Sequence, residues 1–157
     1  MQVTQEEYMR AVNSDVWRPA FLDRIDLEKD LPYVSELLYI PDTDDIIRVN
    51  SVAKTFPSFR WFFHISGCKS RIEVYDNAFS LDIHQNVGDF LSSIVDHEGF
   101  HAYEFSKGSW RSIVADCERR AMDNQIQNFS RRDISRTYME LFTETYIRIN
   151  SINPKID

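Results

Sequence analysis

A chain of 157 residues, 43% hydrophobic and 27% charged, has the size of one domain and can bury a core without disulfides or a structural metal. Only 4 Gly and 5 Pro argue against a turn-rich all-β sandwich and for helix, and 11 Phe with 7 Tyr predict a core of large rings. The formal charge of −7 repels phosphate backbones and makes nucleic acid a poor partner.

Thr4-x-x-Glu7 is a capping box, so a short helix is expected at the start, with Tyr8, Met9, Ala11 and Val12 as its apolar face. Residues 14–48 predict an irregular section. Trp17, Phe21, Leu22 and Ile25 suggest one helical stretch and Val34, Leu37 and Leu38 another, broken by Pro19, Pro32 and Pro41. Between residues 59 and 84 the pattern changes to strands. Arg60–Ile65 is aromatic and β-branched, and Arg71–Tyr75 and Phe79–Ile83 alternate with period two, which predicts a small antiparallel sheet of about three strands.

Three helices are expected over 87–150. The first spans about Val87–Ser106, with Phe90, Leu91, Ile94, Val95 and Phe100 at helical spacing and Lys107-Gly108 as its stop. The second begins near Ser109-Trp110 and reaches about Phe129, and the third covers about Asp133–Asn150. The expected class is α+β, a single domain over 1–157 with a mainly helical section at 1–58.

Cys68 and Cys117 form no C-x-x-C pair and are expected as reduced, buried thiols. The basic pairs Arg119-Arg120 and Arg131-Arg132 are expected as solvated helix edges. The first ten residues carry no apolar core of a signal peptide, and no run approaches the ~18 apolar residues of a membrane span. The default expectation is therefore a cytoplasmic protein with no membrane partner, signal-less export being the alternative.

One motif carries chemistry. His97-Glu98-Gly99-Phe100-His101 reads H-E-x-x-H inside the strongest predicted helix. Residues i and i+4 share a helix face, so the two imidazoles converge on one ion, while Glu98 projects to a neighbouring angle and reaches a water instead. The stretch Ile94–Tyr103 resembles the extended signature of zincin metallopeptidases. Asp96 occupies that signature's free position, and Tyr103 stands where an apolar residue is preferred.

The resemblance implies zinc as cofactor, with His97 and His101 as ligands, Glu98 as general base, and a peptide or protein as substrate. A catalytic zinc takes three protein ligands and one open position. The metzincin branch fails, because Glu104 and Lys107 stand where it requires Gly and His. The gluzincin branch takes a Glu from a following helix, and Glu118-x-x-Ala121 is similar to its E-x-x-A element. A turn at Lys107-Gly108 folds the second helix back antiparallel and brings Glu118 beside the motif, with Ala121 permitting close approach. Asp116 is the rival third ligand. It lies two residues away, roughly 200° around the helix, so the two cannot both face the metal. Cys117 points about 100° from Glu118 and is read as core, and Glu104 and Asp123 as solvated.

The resemblance further implies an edge strand above the motif helix that pairs with substrate, here Phe79–Ile83 or Arg71–Tyr75. His84, Arg136, Tyr138 and Tyr146 are the candidates for a second oxyanion donor, and His64 is expected to be a buried, hydrogen-bonded histidine. The alternative to a hydrolase is a non-catalytic zinc-binding or interaction module, which would have no need of Glu98.

Overall fold

The computed structural model describes residues 3–41, 51–57, 68–108 and 114–152. Helix α1 (Gln5–Asn13) opens on the expected capping box: Glu7 N–H donates to Thr4 Oγ1, and the Glu7 carboxylate accepts from Thr4 N–H at 2.8 Å. The short helices α2 (Trp17–Leu22) and α3 (Leu27–Asp30) follow. Tyr8, Phe21, Phe79 and Phe90 then meet in one buried cluster with ring centroids 5.1–6.3 Å apart. Aromatic pairs at such spacings add to what their burial already contributes.

The sheet departs from expectation. Val34, Leu37 and Leu38 belong to strand β1 (Val34–Tyr39) rather than to a helix, and β2 (Ala53–Pro57) lies where no strand was predicted. Strand β3 (Ser70–Val74) matches the expected Arg71–Tyr75, whereas Arg60–Ile65 and His64 lie outside the described residues. Phe79–Ile83 is not a strand. Asp76–Phe79 is a 3₁₀ turn, and His84 N–H closes onto Ser80 O at 2.9 Å. The three described strands run β1-β3-β2, with β1 parallel and β2 antiparallel to β3, so the sheet is mixed and the class is α+β. Among the described strands Arg71–Tyr75 therefore runs through the middle of the sheet, and β2 is the edge nearest the motif helix.

Helix α4 (87–106) carries the motif. It begins as α-helix at Val87–Leu91, passes through a π-helical stretch at Ser92–Glu98 and returns to α-helix at Gly99–Ser106. The Asn86 side chain caps it, accepting from Asp89 N–H at 2.9 Å. The fully buried Asp89 carboxylate accepts from Gln85 N–H, Ser135 N–H and Ser135 Oγ–H at 2.6–2.9 Å. The start of α4 is thus tied to the start of α6 (Arg136–Ile152). The expected stop holds: Lys107 caps α4, and Gly108 takes φ +77°, a left-handed conformation that glycine adopts without steric cost. Helix α5 (Val114–Asn128) then packs along the π-helical stretch. Gly99, inside the motif, admits Leu31, whose Cδ2 would lie 2.7 Å from a β-carbon there. No described helix is long and apolar enough to cross a membrane.

Candidate metal centre

His97 is the penultimate residue of the π-helical stretch and His101 sits one turn on, while Glu118 comes from α5 across the helical hairpin. His97 Nε2 stands 3.2 Å from His101 Nε2 and 3.1 Å from Glu118 Oε2, and His101 Nε2 stands 3.2 Å from Glu118 Oε1. One donor atom from each residue lies within 4.8 Å of the others, which makes the three a group able to hold a metal ion. The fit can be tested by geometry. Ligands about 2.0–2.1 Å from a tetrahedral ion are separated by about 3.3 Å. The two imidazole nitrogens stand nearly that far apart, and each has one Glu118 oxygen at a similar distance, Oε2 for His97 and Oε1 for His101. Two imidazoles with a carboxylate suit a borderline divalent ion.

Electrostatics inside the group are strongly coupled. Burial alone would push the His97 pKa down, but the Glu118 hydrogen bond and the charges of Glu98 and Glu118 raise it overall. Burial likewise works to raise the Glu118 pKa, and the two facing imidazoles overcome it and hold the carboxyl well below the usual range. Three lone-pair-bearing atoms this close repel unless a cation, either a proton or a metal, sits among them.

The rival carboxylate is elsewhere: Asp116 pairs with Arg119 at 3.1 Å. Glu104 and Asp123 are not simply solvated. Glu104 takes a bidentate contact from Arg120 at 2.8 and 2.9 Å, and Asp123 accepts from Tyr146 OH at 2.7 Å. Of the basic pairs, Arg131 is exposed as expected, whereas Arg120 and Arg132 are not mere helix edges. Arg132 grips the buried Asp96, the residue before His97, through two hydrogen bonds of 2.9 and 3.0 Å. Cys68 and Cys117 are thiols, both half-buried, and Cys117 lines the cleft beside Glu118.

The group opens into a cleft of about 810 Å³. Ala53, Lys54 and Thr55 of strand β2 line it, as do Leu141, Phe142 and Ile149 of α6. Glu98 lies in this cleft and is largely buried, with Thr55 Oγ–H donating to its Oε2 at 2.6 Å and contacting its backbone carbonyl at 3.1 Å.

Of the oxyanion candidates, Arg136 is exposed and pairs with Glu140, and Tyr146 is held by Asp123. His84 and Tyr138 line the cleft, but their polar atoms engage Ala78, Ser93 and Gln125. Sequence reading missed Thr55, Ser93 and Gln125. Two of these carried a signal, since Ser93 is one turn before His97 and Gln125 is two turns beyond Glu118, each on its partner's face. No protein-family model, curated protein or solved structure matches the chain.

Proposed function

We propose that the protein is a zinc-dependent hydrolase of peptide or amide bonds, laid out on the gluzincin plan that its motif resembles. The observation that carries this reading is the convergence of His97, His101 and Glu118, each pair with ligand atoms 3.1–3.2 Å apart and the carboxylate facing one imidazole with each oxygen, lining a substrate-sized cleft together with Glu98. His97, His101 and Glu118 would hold the ion. When bound, it supplies a Lewis acid that acidifies water and polarises a carbonyl.

The chain's own residues supply the rest. Glu98 accepts the proton of the attacking water and returns it to the leaving amine. Thr55 holds one oxygen of that carboxylate and so fixes its orientation. Strand β2 has no partner on its outer side among the described residues, and it lines the cleft, so it offers backbone donors and acceptors to an extended peptide.

Elemental analysis of protein purified without added metal should find about one zinc per chain. Glu98→Gln should keep that zinc and the fold while lowering chelator-sensitive cleavage of peptide-library substrates by 10²-fold or more. Equal cleavage by wild type and Glu98→Gln would remove Glu98 from the mechanism. Absence of zinc, with no uptake from micromolar zinc near neutral pH, would end the hydrolase reading.

A further inference from the structure

Behind His97 runs a series of buried polar contacts whose direction can be worked out link by link. His84 Nδ1 lies 2.8 Å from the Ala78 carbonyl, which only accepts, so Nδ1 carries a hydrogen. Burial pushes the His84 pKa down to about 4 against the raising effects of Ala78 and Asp89. At neutral pH the ring therefore has a single hydrogen, and Nε2 is a bare acceptor. Ser93 Oγ, 2.8 Å from Nε2, donates to it. A hydroxyl has one hydrogen to give, so Tyr138 OH, 2.7 Å away, donates to Ser93. With its hydrogen used, the Tyr138 oxygen accepts from Gln125 Nε2 at 2.9 Å.

The amide orientation of Gln125 is fixed independently. The same Nε2 lies 3.1 Å from the Ser92 carbonyl, which only an N–H satisfies. Gln125 Oε1 therefore faces His97 Nδ1 at 2.8 Å, and Nδ1 donates to it. In the neutral ring the lone pair is then on Nε2, the atom that faces His101 and Glu118.

We propose that His84, Ser93, Tyr138 and Gln125 form a one-way hydrogen-bond chain, anchored on the Ala78 carbonyl, that sets the tautomer of His97 and presents its Nε2 to the metal. The four act as positioning residues. Their role at the metal rests on the proposed zinc site, whereas the direction of the chain does not. A metal-ligating histidine depends on such a partner at its other nitrogen, and losing it typically weakens metal binding 10- to 100-fold. Here the partner is a neutral amide whose orientation is fixed twice over, by the Ser92 carbonyl and, through Tyr138 and Ser93, by His84.

The test uses ¹⁵N-labelled full-length protein at about pH 8, chelator-treated and then with zinc alone. Two-bond ¹H–¹⁵N spectra should show His84 in the Nδ1–H tautomer and His97 with a hydrogen on Nδ1 in both states. Either ring in the Nε2–H form overturns the chain. Gln125→Met removes the acceptor at similar volume, so His97 should lose its fixed tautomer and zinc affinity should fall 10- to 100-fold. Gln125→Glu retains an acceptor at Oε1 and should restore affinity to within a few-fold. A Met variant as tight as wild type, or a Glu variant as weak as the Met one, refutes the positioning role. Should Gln125→Met fail to fold, Tyr138→Phe removes one link with little change in shape, and an unchanged zinc affinity with unchanged His97 Nδ1–H exchange is then the refuting result. No zinc uptake by wild type, with both tautomers as stated, overturns the metal-presenting role together with the proposed function.

Discussion

Acid should destabilise this protein through His84 before it protonates most carboxylates. In the unfolded chain a histidine titrates near ~6.5, whereas burial holds the folded His84 at about 4. Between those values the unfolded state binds a proton that the folded state refuses. Stability from this group is therefore complete above about pH 6.5 and is lost as pH falls towards 4. A gap of about 2.5 pH units, at about 1.4 kcal/mol each, comes to between about 3 and 4 kcal/mol, of which about 3 kcal/mol is lost by pH 4. That is a large part of an ordinary folding free energy, and roughly 6–12 °C in Tm for a chain of this size. The assay is urea unfolding of chelator-treated protein from pH 4 to 8, comparing wild type with His84→Gln. His97 works in the opposite sense: its raised pKa adds stability at low pH that is lost as pH rises through the folded value. That contribution and those of the carboxylates are common to both proteins and drop out of the difference. Wild type should be the more stable at pH 7, and its advantage should shrink by about 3 kcal/mol by pH 4. A difference that stays flat across this range would mean that His84 is already charged in the fold, or titrates normally, and the chain of donors traced from it would lose its starting point.

Two further outcomes follow from the same contacts. Glu118→Ala should weaken zinc binding by about 3 kcal/mol, or roughly 10²-fold, if the binding energy of a structural zinc is shared evenly among its ligands. Asp116→Ala should leave it within about two-fold, and competition with a chromophoric chelator measures both. Arg132→Ala leaves the Asp96 carboxylate buried without its bidentate partner and should cost about 3 kcal/mol in urea unfolding. Adding Asp96→Asn to that variant should recover part of the loss.

How much of this was legible in the sequence depends on whether a feature is local. The capping box, the Lys107-Gly108 stop and the face shared by His97 and His101 are set by residues within a turn of each other, and the structure has all three. The angle between Glu118 and Asp116 is likewise a property of one helix. Strand β1 was read as helix because a register shift between Val34 and Glu36 breaks its period-two pattern, leaving Leu37 buried beside a more exposed Leu38. Strand β2 buries only Ala53 and ends in Pro57, so it offers no alternation to detect. Phe79–Ile83 failed in the opposite way. Its apolar residues alternate, but Phe79 is buried in the aromatic cluster while Leu81 is exposed, because the chain turns between them. Thr55 acts across 43 residues of sequence, and a pairing of that range leaves no periodic trace, whereas Gln125, 28 residues from His97, is marked only by its place two turns beyond Glu118.

The π-helical stretch at Ser92–Glu98 links the fold to the site. Such a register is less favourable than α-helix and occurs mostly as isolated turns, so something must compensate for it here. Helix α5 supplies side-chain donors to two of its carbonyls: Gln125 Nε2 donates to Ser92 O, and Asn124 Nδ2 to Asp96 O at 2.7 Å. Arg132, just beyond α5, secures the Asp96 side chain. The next residue of α5 after Asn124 is Gln125, whose other end holds His97. One of the two neighbouring amides that support the unusual backbone, Gln125, is therefore also the group that fixes the ligand. One consequence is that altering Gln125 acts on His97 twice, through its tautomer and through the helix that carries it. Gln125→Glu separates the two effects, because it keeps the acceptor for His97 Nδ1 and loses the donor to Ser92. Strong zinc binding in that variant would assign the dominant effect to the tautomer, and weak binding with an intact fold would assign it to the backbone.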